Sequence, residues 1–172
     1  MTTQEQLPKG ERVELQGENG LALRQLVPDD DKAYFEALRH DPSRFKHGEE
    51  ATLKKYPTVE SVRSSIEEPD PNRLRFGIWD GELMVGTINI QFNRPKSAEL
   101  GYWSGYAGHD YSERAARLLI PYAFDNYELE KLTAWAAVEN EGSRKILEHL
   151  EFVQTTEGSG QVFYELARIR NT

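Results

Sequence analysis

Any chemistry in this 172-residue sequence has to come from carboxylates, hydroxyls, imidazoles and backbone amides, because it contains no cysteine. That excludes disulfides, thiolate metal or iron–sulfur sites, and a thiol nucleophile. The histidines, His40, His47, His109 and His149, lack metal-ligand spacing such as HxxxH, so they are expected at the surface and no metal is expected. Three stretches carry such groups, each with an ordinary structural reading. Gly108-His109-Asp110-Tyr111-Ser112 precedes a helical pattern, and Asp110 with Glu113 makes a D-x-x-E capping pattern. Asn140 and Ser143 stand at the start of another helix, where Asn140 is an ordinary N-cap. Glu99 shares a strand face with Gly101 and Trp103, a face expected to be helix-covered or a cleft; without a further role it is a solvated carboxylate paired to Lys or Arg. Gly158-Ser159-Gly160 has no helix after it and reads as a hairpin turn, not a phosphate loop. Trp79, Trp103 and Trp135 lie on strands and read as core.

The elements that must position these residues follow from pattern. Arg12–Gln16 and Leu21–Leu26 flank Asn19-Gly20, a strong hairpin signal. Pro28-Asp29-Asp30 opens a helix that fades at Asp41-Pro42, with Phe35 and Leu38 on one face. Residues 43–57 read as polar and irregular. Thr58 caps a second helix to about Glu67, carrying Val62 and Ile66. Arg73–Trp79 and Leu83–Phe92 form a hairpin about Asp80-Gly81, and Ser97–Trp103 extends the meander. From Ser112 to Asn126 the period is helical, but Pro121 predicts a kink there. Lys131–Val138 reads as a buried strand, Gly142–Leu150 as a short helix, and Phe152–Thr156 with Gln161–Ala167 as a last hairpin. One βαβ unit among antiparallel strands predicts an α/β (α+β layered) fold: a mixed, mostly antiparallel sheet with helices on its faces. Residues 1–11 are expected to be frayed and 12–172 to form a single domain.

Composition narrows the partners. Lys and Arg number 21 against 29 Asp and Glu, a net charge of −8 that disfavours binding to phosphate backbones, so no nucleic-acid partner is expected. Lys54-Lys55 is too small a basic cluster to reverse that. The acidity suits a cationic small molecule or peptide. No apolar run approaches the roughly 20 residues of a membrane span, and the N-terminus lacks the apolar stretch of a signal peptide. The expectation is a cytoplasmic protein without a membrane partner.

Several passages, in order, are similar to one family. Leu15-Gln16-Gly17-Glu18 with Leu23–Asp30 resembles the opening hairpin and first helix of GNAT-type N-acetyltransferases of the RimJ/RimL-like branch. Phe76–Gly86 resembles their central hairpin, Ala98–Trp103 their fourth-strand signature and Tyr122-Ala123-Phe124 the end of their third helix. Val138–Ser143 followed by Leu147–Phe152 resembles their C-terminal signature; the likeness covers about residues 12–168. It implies a V-shaped splay between two central parallel strands and acetyl-CoA as co-substrate, with acetyl passing directly to a primary amine of a protein N-terminus, an amino acid or a small cationic amine. Glu99 is then the base or the residue that orients a basic water. Ser143 sits near the leaving sulfur and Asn140 helps hold the acyl carrier. Backbone groups of Trp103 and Ser104 pair with its pantetheine amides. The pyrophosphate meets Gly108, His109, Asp110, Tyr111 and Ser112 at a helix N-terminus. Relatives often dimerise, which leaves a homodimer open. His47, Glu49 and Glu50 lie where relatives close over the acceptor, and either shape specificity or belong to a plain solvated loop.

The likeness breaks at one loop. Asp110 replaces the second glycine of the family's glycine–basic–glycine run, and the loop is about two residues short. A capping carboxylate there would occupy the amides a diphosphate needs. This motivates a second reading: a catalytically silent binding or scaffold module with weakened CoA affinity.

Overall fold

The computed structural model describes residues 12–46 and 50–169. The expectations for residues 1–11, His47 and Glu49 lie outside the described residues. The short strand β1 (Glu14–Gln16) and β2 (Leu21–Gln25) form the first hairpin, turned through Asn19 and Gly20 at positive φ. A 3₁₀ turn (Pro28–Asp30) leads into α1 (Asp31–Arg39), and a second (Pro42–Arg44) precedes α2 (Glu50–Lys55) and α3 (Val59–Glu67). The meander β3 (Arg73–Asp80), β4 (Leu83–Arg94) and β5 (Ser97–Ser104) follows. Then come α4 (Tyr111–Asn126), β6 (Lys131–Ala137), α5 (Glu141–His149) and the hairpin β7 (Val153–Gly158) and β8 (Gln161–Ala167). One sheet runs β1-β2-β3-β4-β5-β6-β8-β7, and every neighbouring pair is antiparallel except β5 and β6. The expected mixed sheet with helices on both faces is therefore observed.

Strand alternation builds two cores. On one face Leu74, Phe76 and Ile78 of β3, Ile88 and Ile90 of β4, and Ala98 and Leu100 of β5 are buried with Ala115, Ala116, Leu119 and Ala123 of α4. On the other, Trp79 and Met84 pack with Tyr34 and Leu38 of α1 and Val62 and Ile66 of α3, with Trp103 against them. Each large apolar side chain removed from water contributes about 1.5–3 kcal/mol. Thr58 starts α3 as expected: its hydroxyl accepts from the Ser61 amide, and Ser61 Oγ accepts in return from the Thr58 amide, both at 3.1 Å.

Three details differ from the sequence reading. Residues 50–55 are helical, where residues 43–57 were expected to be irregular. The turn of the β3–β4 hairpin is Gly81-Glu82, one residue later than Asp80-Gly81, with Asp80 still paired to Leu83. Gly81 takes φ +61° at the first loop position, as a type II′ turn requires. Helix α4 runs without interruption through Pro121. Pro121 is exposed, and the buried Ala115, Ala116, Leu119 and Ala123 hold the turns on either side of it to the sheet, so loss of one N–H does not end the helix.

Where β5 leaves the sheet it passes very close to α1. A Cβ on Gly105 would sit 1.9 Å from the Ala37 carbonyl oxygen. That neighbour is helix backbone and cannot turn aside. Gly105→Ala is therefore expected to destabilise the fold by at least about 2 kcal/mol, read as a lower urea midpoint at unchanged slope.

Candidate active site

The parallel pair β5–β6 is short. Ser97 pairs with Lys131, Ala98 with Leu132 and Glu99 with Thr133, and there the pairing ends. Beyond it β5 continues beside β4 to Ser104, and β6 continues beside β8 to Ala137. The two strands part into a V whose apex is Glu99. A cavity of about 390 Å³ lies at this opening; Glu99, Gly101, Trp103, Trp135, Asn140 and Ser143 are among its lining residues.

Glu99 is half-buried and has no ion-pair partner among the described residues, contrary to the plain surface reading. Its Oε1 accepts instead from the Trp135 indole N–H at 3.1 Å. Trp135 was expected in the core but is 41% exposed, because its β6 position faces the cavity. One neutral donor fixes the carboxylate, and no ion pair among the described residues does.

Across the V, the Asn140 side chain caps α5 by accepting from the Ser143 amide at 3.1 Å. The cap turns the Ser143 hydroxyl toward β5, where it meets the Tyr102 hydroxyl at 3.0 Å. Tyr102 was missed in the sequence. Only the order of strands and helices in space reveals that β5 faces the start of α5.

The backbone of β5 bears on the expectation for Trp103. A Cβ on Gly86 of β4 would lie 2.1 Å from the Trp103 carbonyl oxygen, so that carbonyl faces β4 and not the splay. The Ser104 carbonyl accepts from Arg44 Nε at 2.9 Å, and the Ser104 hydroxyl donates to the Tyr106 carbonyl at 3.0 Å. Alternation turns the backbone groups of Leu100, Tyr102 and Ser104 to the side of β5 away from β4. The Trp103 ring closes the other side of the strand, edge-on to Tyr34 (5.4 Å) and Phe45 (5.6 Å).

The loop before α4 also departs from expectation. Gly108, His109 and Asp110 all have positive φ, +76°, +62° and +50°. Asp110 is exposed, and its side chain makes no capping bond to α4. The left-handed backbone at Asp110 replaces the extended one that an N-cap uses, so the D-x-x-E capping pattern is not realised. The second reading thereby loses the competing cap, one of its motives; the short loop and the charge of Asp110 are the others. His109 stacks on Tyr111 (5.2 Å), and Arg114 donates to the carbonyls of His109 (3.1 Å) and Glu18 (3.0 Å), bracing the loop. Tyr111 is buried and ties the start of α4 to the end of β3 by donating to Asp80. Burial, then that hydrogen bond, raise its hydroxyl to a pKa of about 12. Ser112 is buried in the first turn.

The opposite wall of the cavity was also missed. It carries Lys55, Arg73 and Arg75 beside Tyr34 and Tyr56. Burial above all raises the Tyr34 hydroxyl to about 12. Burial acts to raise Tyr56 too, but the charges of Arg75, Lys55 and Arg73 and a hydrogen bond to Ser65 lower it overall. The chain's net negative charge is thus reversed at this wall.

A mixed sheet whose one parallel pair opens into a cavity, with helices starting on both sides of the opening, defines an acyltransferase-like architecture. The chain belongs to the acetyltransferase (GNAT) domain family, whose sequence pattern matches residues 21–153. It is 38% identical over 91 residues to YdaF of Bacillus subtilis (strain 168), by its name a candidate ribosomal N-acetyltransferase; the match spans 49% of each protein, about half of that relative's length. Solved structures share the fold. The ribosomal-protein-S5-alanine acetyltransferase from Vibrio fischeri superposes with a TM-score of 0.73 at 18% identity, over 90% of this chain and 96% of that one. Mycobacterium smegmatis RimJ in complex with CoA-disulfide gives 0.68 at 20% identity, over 91% and 86%. RimL, the ribosomal L7/L12 alpha-N-protein acetyltransferase in complex with coenzyme A, gives 0.72 at 15%, over 90% and 98%.

The loop geometry has a direct test. Replacing a working cap costs about 0.5–2 kcal/mol, whereas glycine relieves a non-glycine residue held at positive φ. Asp110→Gly is expected to be neutral or to stabilise by up to about 1 kcal/mol in urea unfolding. A clear loss of stability would restore the capping role.

Proposed function

We propose that this protein is an N-acetyltransferase that moves an acetyl group from acetyl-CoA directly to the primary amine of a protein or peptide. The observation that carries the reading is Glu99 at the apex of the V, its charge held by one indole N–H and turned into the cavity. Acetyl-CoA, when bound, supplies an activated thioester acyl group. The residues present fit such a ligand. The first-turn amides of α4 have no side-chain cap, and open space surrounds the Cβ position of Gly108. Helix N-termini of this kind favour phosphate. The Trp103 carbonyl faces β4, whereas the Leu100 backbone faces the V, where it can pair with a pantetheine amide as an added strand would.

An ammonium has no lone pair, so the acceptor must first lose a proton. Glu99 takes it, directly or through one water, and its carboxylate stabilises the positive charge that builds on the attacking nitrogen. Ser143 and Tyr102 offer hydroxyl protons on the α5 side of the V, where a leaving thiolate needs hydrogen-bond donors. Asn140 fixes Ser143 there through the helix cap. No cysteine exists to carry an acetyl-enzyme intermediate, which makes direct transfer the default. An extended acceptor is supported by a second cavity of about 290 Å³ on the same sheet face, which Glu99 and Trp135 also line. The neighbours named as ribosomal protein acetyltransferases support a protein amine.

Glu99→Gln keeps the shape and removes the base. Its kcat near neutral pH is expected to fall about 10²–10⁴-fold, with acetyl-CoA affinity unchanged by calorimetry. A wild-type rate in this variant would exclude Glu99 as the base. Ser143→Ala alone is expected to cost less than about tenfold, because Tyr102 can still donate. The Tyr102→Phe, Ser143→Ala pair should cost more than the product of the two single losses; purely multiplicative losses would show that the hydroxyls do not share a task.

A further inference from the structure

The cation wall has a position in the sheet that can be read from register. Arg73 of β3 pairs with Gln91 of β4, and Gln91 pairs with Glu99 of β5, so Arg73, Gln91 and Glu99 form one row. Arg75, Asn89 and Gly101 form the next row. Strands lie about 4.8 Å apart, so the backbone of Arg73 is about 10 Å from that of Glu99, within reach of two long side chains on one face. Arg73 Nε donates to Asn89 Oδ1 (3.4 Å), and Arg75 Nη1 donates to the Ser65 carbonyl (3.1 Å) and hydroxyl (3.3 Å). These bonds orient the guanidinium groups without neutralising them. Among the described residues no carboxylate lies within ion-pair distance of Arg73, Arg75 or Lys55.

These cations are too far from the phosphate end of the V to serve a pyrophosphate there. Tyr111 anchors the start of α4 to Asp80, at the far end of β3. At about 3.3 Å per residue, Asp80 is about 17 Å from Arg75 and about 23 Å from Arg73. Half-buried arginines without a counter-ion pay a desolvation cost that a bound anion offsets.

We propose that the acceptor carries a carboxylate near its reactive amine, with Arg73 and Arg75 holding that carboxylate while the amine reaches Glu99. This rests on the amine-acceptor reading of the same cavity. It replaces the cationic acceptor that the overall charge suggests: recognition follows the local field, and a polyamine would meet three cations on this wall. Lys55, beside the Tyr56 ring at 5.5 Å, adds to the field at the mouth. The carboxylate has two sources, an acidic side chain near a peptide N-terminus or the α-carboxylate of a free amino acid.

The test uses the full chain with acetyl-CoA and matched acceptors: amidated tripeptides with Glu or Gln at the second position, and lysine as free acid or amide. At least tenfold higher kcat/KM is expected for the acidic member of a pair. The tripeptide pair and the lysine pair separate the two sources. Arg73→Gln should abolish that preference, and Arg75→Lys should retain more of it than Arg75→Gln; thermal melting of each variant verifies folding. Transfer that ignores the charge, or prefers the neutral member, overturns the proposal while leaving the transferase reading intact. A tenfold loss of acetyl-CoA affinity in Arg73→Gln would assign the arginines to CoA and also overturn it. Calorimetric titration of the CoA-loaded protein with the same acceptors separates the remaining case. Acid-selective, Arg73-dependent binding without transfer upholds the anion site and removes only the transferase reading, whereas the absence of selective binding removes the anion site.

Discussion

The parting of β5 and β6 after Glu99 is the constraint on which the rest depends. Each strand is fastened on its outer side to an antiparallel partner, β4 for one and β8 for the other. They can therefore diverge without giving up those ladders. What they give up is the inner ladder beyond Glu99 and Thr133. The opening is thereby wide enough to hold a cavity between two strand edges. The two cores on opposite faces keep the sheet rigid enough for the gap to persist.

From that gap the site divides by side. On the α5 side a helix cap aims Ser143 at Tyr102. On the α1 and α3 side the same strand presents Glu99 and Trp103 to an aromatic and cationic wall. Period-two alternation along β5 is enough to send consecutive residues to separate tasks. Charge divides too. The surplus of acids lies elsewhere on the molecule, and the cavity gathers Lys55, Arg73 and Arg75 around one carboxylate.

The fold was legible because its signals are local. Asn19-Gly20, Thr58 and the Val62–Ile66 spacing each specify their element without help from the rest of the chain. Glu99, Asn140 and Ser143 were found through resemblance, and the structure brings them around one cavity. Arg73, Tyr102 and Trp135 escaped because their importance is a matter of register. Arg73 lies 26 positions from Glu99 in sequence, and only the intervening β4 puts them in one row. Asp110 misled for the opposite reason: its local pattern was sound, but the preceding left-handed residues turned its backbone away from the capping geometry. Helix α2 escaped because six residues carry too little periodicity to distinguish a helix from a polar loop.

The exposed indole at the apex has one more consequence. Trp79 is buried, and Trp103 is packed against Tyr34 and Phe45, but Trp135 stands in solvent at the junction of the two cavities. The molecule therefore contains its own optical probe. Light emitted by a water-exposed indole is red-shifted and readily quenched, and this one touches the carboxylate at the centre of the site. Occupancy of the cavity can be followed in the unlabelled protein by its intrinsic fluorescence.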